Sequence, residues 1–183
     1  PNTPFGHAAP PGLPDDDAAA DMQFAIEARL AEAGMVHYET SAYARPGHAC
    51  RHNLNYWNFG DYLGIGAGAH SKLSFHDRIV RQMRVKHPQQ YLDAIRAGAQ
   101  VADTRTLTRD DLPFEFMMNA LRLTAGVPTE YFDARTGLPL GVCRHALEAV
   151  RARGLLAHDA GVLRPTPLGR HFLNDLLTLF LKE

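Results

Sequence analysis

The chain has 183 residues, 45 % of them hydrophobic and 21 % charged, the composition of a globular chain long enough to bury a core without staples. Its formal net charge of -1 excludes a global field that would hold it on nucleic acid or an anionic membrane, leaving only local basic patches. Two cysteines, Cys50 and Cys143, stand far apart and outside any CxxC or CxxxCxxC arrangement, which predicts a reducing compartment, the cytoplasm, and argues against an iron-sulfur or zinc site built from this chain alone.

The opening stretch "PNTPFGHAAPPGLPDDD" has no Met and five prolines, and reads as a connection entered midway in something longer. It lacks the pattern of a signal peptide, and no apolar run in the chain reaches the roughly 18 residues of a membrane span. Asp15 to Asp17 then offer an N-cap and first-turn acids, and Met22, Ile26, Leu30 and Ala33 recur at helical spacing until Gly34. "MVHYETSAYA" follows at once. Val36, Tyr38 and Thr40 alternate there with His37, Glu39 and Ser41, predicting a strand with one polar face. Helix, short link and strand is the αβ step of a parallel α/β domain.

From about residue 76 the pattern changes. "RIVRQMRVK" reads as a strand around Ile79, Met83 and Val85, and "PQQYLDAIRAG" as a helix from Pro88 to Gly98. "TRDDLPFEFMMNALRL" predicts a helix with Phe114, Met117 and Leu121 on one face. A helix over 139–153 carries Leu140, Cys143, Leu147 and Val150 on one stripe, with Arg144, Glu148 and Arg151 outside and Gly154 as its stop. A hairpin turns around Asp159 to Gly161, and Thr166-Pro167 opens a last helix bearing Phe172, Leu173, Leu176, Leu177 and Phe180. Helix, helix, hairpin, helix resembles a winged-helix module.

Between these halves lies "CRHNLNYWNFGDYLGIGAGAH", residues 50–70, which reads as a connecting loop. Glycines at 64, 66 and 68 leave the backbone bare, so that a ligand or a packed element can approach it. The spacing lacks the strand-to-helix context of a dinucleotide fingerprint. His52 is a candidate ligand of a metal or haem iron, with Tyr56 and Trp57 as flat faces for a planar group. The competing structural role is a histidine bonded to nearby backbone while the aromatics pack in a core. His48, Cys50 and His52 alternate on one extended face, a poor zinc signature without a fourth ligand.

The run "YETSAYARPGHACRHNLNYWNFGDYLGIGAGAHS", with "PNTPF", "LPDDD", "PFEFMMNALRL", "TGL" and "LTLFL", closely resembles the HemW-like haem chaperones, within the radical S-adenosylmethionine (SAM) family related to oxygen-independent coproporphyrinogen III oxidase. The resemblance covers essentially the whole chain. It implies the C-terminal half of a longer protein, α/β plus α+β: residues 1–75 as the C-terminal part of a partial (β/α) barrel with its glycine-rich loop, and 76–183 as a mainly helical accessory domain, winged-helix-like over about 109–183.

In that family an HNxxYW motif is associated with haem binding, and it stands here as His52, Asn53, Tyr56 and Trp57, with His52 the implied axial ligand. Gly64, Gly66, Gly68, Ala69 and His70 correspond to the loop on the SAM and substrate side of the barrel. Glu39 and Ser41, on the polar face of the last barrel strand, would point into the same lumen or satisfy each other. The family's [4Fe-4S] cluster and SAM belong to the intact protein, because this chain lacks the cysteine triad; alone it is expected to be inactive.

The resemblance implies haem as cargo and haem-receiving proteins as partners. The alternatives are an oxidase that decarboxylates coproporphyrinogen III, and a winged-helix nucleic-acid module using Arg144, Arg151 and Arg153. Glu148 among those arginines and the balanced charge favour a solvated helix face, hence no nucleic acid. A Ser/His/Asp hydrolase has no nucleophile elbow to support it. Open edges of a half-barrel predict a tendency to oligomerise.

Overall fold

The computed structural model describes residues 3–181. Its elements in chain order are α1 (Pro4–His7), α2 (Asp16–Glu32), β1 (Val36–Glu39), β2 (Ala42–Ala44), α3 (Arg51–Trp57), β3 (His70–Ser74), β4 (Ile79–Arg84), α4 (Pro88–Arg96), β5 (Val101–Thr106), α5 (Leu112–Ala120), β6 (Val127–Pro128), α6 (Glu130–Thr136), a 3-10 turn (Leu140–Cys143), α7 (Arg144–Ala152), β7 (Val162–Leu163), α8 (Pro167–His171) and α9 (Leu173–Thr178). They form two compact units, one of residues 1–37 and 41–49, the other of 38–40 and 50–183. Among the described residues no helix is long and apolar enough to cross a membrane.

In the first unit the opening stretch is not wholly loop, because Thr3 accepts from the Gly6 amide and caps the single turn α1. Asp15 caps α2 through the Ala18 amide, with Asp16 and Asp17 in the first turn, where the sequence places them. The apolar stripe is not a core face, however. No residue of α2 is buried, and Met22 and Ile26 are about half exposed. Periodicity marks a face of the helix but not what covers it.

The expected strand through Ser41 ends at Glu39, and residues 40 and 41 form a turn into β2. Within the second unit, Tyr38–Thr40 pairs with the segment after α5: the Thr40 amide donates to Arg122 O, the Thr124 amide donates to Tyr38 O, and Glu39 bridges Leu123 in antiparallel sense.

The main sheet has the order β3-β4-β5 and is antiparallel, with Ser71 opposite Gln82 and Gln82 opposite Thr104. Only β4 was legible as a strand; β3 and β5, short and polar, lack the alternation that would reveal them. Below the sheet α5 buries Phe116, Met117, Ala120 and Leu121, so its inner face centres on Phe116, whereas Phe114 is only partly buried.

The remaining elements follow the expected order with corrected bounds. The helix expected over 139–153 is a 3-10 turn followed by α7; Cys143, Leu147 and Val150 remain buried along it. The hairpin forms, with the Ala157 amide donating to Arg164 O, and its return strand β7 also pairs with β6. The last helix is two, α8 and α9, broken at Phe172, which is 52 % exposed rather than in the core. The helix α6, unread in the sequence, contributes Phe132. Phe132 and Phe116 meet edge to face at 5.2 Å, and Phe116 meets Phe59 at 5.5 Å, all three buried.

That aromatic file predicts the cost of a cavity. Phe132→Ala is expected to destabilise the chain by about 3–5 kcal/mol, read as a drop in the denaturant midpoint. A loss below about 1 kcal/mol would mean that Phe132 does not support the core.

Candidate functional site

The segment expected as a loop contains a helix, α3, so His48, Cys50 and His52 do not alternate along one extended strand; Cys50 is the N-cap and His52 lies in the first turn. The helix stops at Phe59, whose φ of 58° is the left-handed conformation that costs a non-glycine residue about 1–2 kcal/mol. Burial of its ring, 1 % exposed, against Phe116 holds it there.

One turn on, Lys72 of β3 is itself 2 % exposed. Its ammonium donates to Phe59 O at 3.0 Å, Asp61 Oδ1 at 2.8 Å and Ser74 Oγ at 2.9 Å, and sits 4.1 Å from the centre of the Phe59 ring. All three donors of the ammonium are used. Burial pushes the Lys72 pKa down, opposed by Asp61. For Asp61, partial burial works to raise the pKa, but hydrogen bonds from Lys72 and Ser74 prevail and hold it below the usual carboxylate value.

The four motif residues on α3 face two ways. Inward, Asn53 Nδ2 donates to the Tyr38 hydroxyl at 3.2 Å, and the Trp57 ring lies 4.3 Å under the Arg122 guanidinium. Arg122 in turn pairs at 3.3 Å with Glu39, whose side chain is 2 % exposed. Glu39 is therefore an ion-pair partner inside the second unit, while Ser41 is exposed on the turn; the two do not share a polar strand face.

Outward, His52 is exposed and meets Tyr56 edge to face at 4.7 Å. Tyr56 packs on Tyr62 at 4.2 Å. The Tyr62 hydroxyl accepts from Arg81 at 2.8 Å, and Arg81 pairs with Glu115 at 2.6 Å. Burial raises the Tyr62 pKa, against the lowering pull of Arg81, so the phenol stays neutral.

The glycine-rich loop is held by side chains of the sheet and of α4. The Gly64 amide donates to Ser71 Oγ, Arg84 Nε donates to Gly64 O, and the Gly66 amide donates to the Tyr91 hydroxyl. What approaches Gly64 is the chain itself: a Cβ there would lie 2.2 Å from His70 O. At Gly66 the φ of 107° is the reason for glycine. Packing and backbone conformation thus account for these two glycines.

The outward motif residue Tyr56 and this loop share one cavity of about 550 Å³, lined by Tyr56 and Tyr62, by Leu63, Gly64 and Ile65, and by Gly68, Ala69 and His70. Leu63 and Ile65 are 69 % and 87 % exposed. The arrangement is an aromatic wall, an exposed imidazole and an apolar rim on a loop fixed from behind, suited to a flat apolar group with a ligatable centre. Tyr62, Arg81 and Lys72 were missed in the sequence; only Tyr62, inside the quoted window, carried a signal.

The inward anchor is testable with the chain's single tryptophan. Arg122→Ala removes the ion pair of the buried Glu39 carboxylate and is expected to cost about 3 kcal/mol, with a red-shifted Trp57 emission and increased quenching by acrylamide. Unchanged emission would show that Arg122 does not cover Trp57.

With this geometry in hand, the relatives are informative. The family described as the HemN C-terminal domain matches residues 107–172. A haem chaperone HemW from Escherichia coli (strain K12) is 47 % identical across 100 % of this chain and 47 % of its own length. One from Haemophilus influenzae is 43 % identical over the same shares. A Bacillus subtilis haem chaperone HemW is 32 % identical over 93 % of this chain and 45 % of its own. The chain spans about half the length of the curated relatives it matches. Among solved structures, that of coproporphyrinogen III oxidase (HemN) from Escherichia coli, described as a radical SAM enzyme, superimposes with a TM-score of 0.67 over 92 % of this chain and 42 % of its own, at 19 % identity, a likeness of fold. Along its whole length the chain is thus similar to about half the length of the haem chaperones HemW, and residues 107–172 match the HemN C-terminal domain family.

Proposed function

We propose that the intact protein is a haem chaperone, that its haem is seated on the outward face of α3 with His52 as axial ligand, and that it delivers haem to receiving proteins. The observation that carries this reading is the two-faced helix: Asn53 and Trp57 anchor it inside, leaving His52 exposed and edge-on to Tyr56, the motif residue that lines the cavity. A neutral imidazole ligates haem iron, and the packed Tyr56 and Tyr62 with Leu63 and Ile65 would shield one face of the macrocycle from water. The loop from Gly64 to His70 belongs to this cavity on our reading, and Glu39, engaged by Arg122, supports it from within.

The full protein would add what these residues do not supply. In the family reading the [4Fe-4S] cluster is held by cysteines that this sequence does not contain, SAM lies on the barrel side lined by the loop from Gly64 to His70, residues 1–75 are the C-terminal part of a partial barrel and 76–183 form the accessory domain. The order α5, β6, α6, α7, hairpin, α8 supports a winged-helix-like form for that domain. We read the outer face of α7, where His145 and Glu148 stand 3.9 Å apart, as solvated rather than as a nucleic-acid surface. The oxidase reading draws only on a fold shared at 19 % identity, and fold alone does not carry an activity.

A haem titration followed by visible absorption on the full-length protein tests the proposal. Wild type is expected to show a saturable Soret shift, and His52→Ala to lose that shift and at least about tenfold in affinity, a change of roughly 1.4 kcal/mol. An unchanged shift in the variant would remove His52 from the iron.

A further inference from the structure

A second concave site also draws residues from the α3 segment. On α3, Arg51, Asn55 and Asn58 follow one another at helical spacing, one residue round from the stripe of His52 and Tyr56. With Leu54, and with Tyr131 and Arg135 of α6, they line a pocket of about 300 Å³ within the second unit. Its amides are partly spent on the backbone: Asn55 Nδ2 donates to Asp61 O and Asn58 Nδ2 to Leu54 O. The charged donors among its lining residues are the two guanidiniums. Arg135 lies 5.6 Å from the centre of the Tyr131 ring, a weak contact that leaves its N–H groups available.

The electrostatics of the pocket are unbalanced. No carboxylate lines it, and among the described residues neither Arg51 nor Arg135 has an ion pair, whereas Arg81, Arg105 and Arg122 of the same unit are each matched to an acid. The positive charge of Arg135 also acts on buried Lys72, whose one acidic partner is the already shared Asp61. Two cationic residues lining one small cavity repel each other, and an anion bound there relieves that repulsion while accepting from their planar forks.

We infer that Arg51 and Arg135 form a carboxylate-binding site, and that the carboxylate is an ionised propionate of the haem seated on the adjoining face. This deepens the haem reading and rests on it. Haem is apolar over its ring and anionic along one edge, and α3 presents a matching pair of surfaces: an aromatic and imidazole stripe on one side, an uncompensated basic pocket on the next. The pocket would thereby orient the ring and distinguish haem from neutral macrocycles.

The test uses the full-length protein titrated with haem and with haem dimethyl ester, followed by visible absorption. Wild type is expected to favour haem by about tenfold, the scale of one charged hydrogen-bonded contact. Arg51→Gln with Arg135→Gln should lower haem affinity to that of the ester, leave the ester affinity and the Soret position unchanged, and the double Lys variant should restore part of the preference. No preference in wild type, a preference kept in the Gln variant, or equal losses for haem and ester would each overturn the inference. His52→Ala, run beside these, reports separately: a Soret shift that survives it defeats the ligation reading, while the haem-to-ester ratio alone judges the arginines. Absence of haem binding in wild type defeats both.

Discussion

The buried ammonium of Lys72 organises the segment on which everything functional stands. It binds the carbonyl at the end of α3, the carboxylate two residues later and the hydroxyl of its own strand, and rests on the Phe59 ring. A charge removed from water demands that its donors be met, so the stretch from Phe59 to Asp61 and the strand β3 are brought to fixed positions around one atom. Phe59 adopts its left-handed backbone within this arrangement, and the chain emerging from it leads through Asp61 to Tyr62 and the glycine-rich loop. Helix, loop and strand β3 thus share one fastening, and the outward face of α3 is presented at a defined angle to the loop opposite.

From that fastening follows the division of labour within the HNxxYW motif. Two of its residues are anchored inside: Asn53 reaches Tyr38, and Trp57 lies beneath Arg122, itself tied to Glu39. They hold a seven-residue helix that would be marginal by itself. The other two, His52 and Tyr56, are free to work because these anchors exist. Behind the tyrosines the Arg81–Glu115 pair keeps the Tyr62 hydroxyl hydrogen-bonded, so the aromatic wall has a fixed orientation. A basic pocket lined from the next stripe gives the segment aromatic, imidazole and cationic parts arranged round one helix.

Much of the local architecture could be read from short windows. The Asp15 cap of α2, Pro88 opening α4, the Thr166 cap of α8 and the hairpin at Asp159 to Gly161 each depend on chemistry within a few residues, and each appears where the sequence puts it. The misreadings have local causes as well. The loop reading of α3 came from its polar, aromatic and glycine-rich neighbourhood, which hides a two-turn helix. β3 and β5 carry Lys, Ser, Asp and Thr rather than alternating apolar residues, and Phe172 fits a helical stripe although the helix breaks at that residue.

The sequence by itself carried the family resemblance, the HNxxYW motif and most helix ends, because these reside in side-chain identity and near-neighbour hydrogen bonding. Tertiary structure alone decided which motif residues face in and which face out, that Glu39 belongs to Arg122 across 83 positions, that Gly64 accommodates the backbone of His70, and that Arg51 and Arg135 share a pocket. The physical reason is range. A cap or a turn is settled among residues already adjacent along the chain, whereas the pairing of a buried charge depends on which distant segment the fold carries to it.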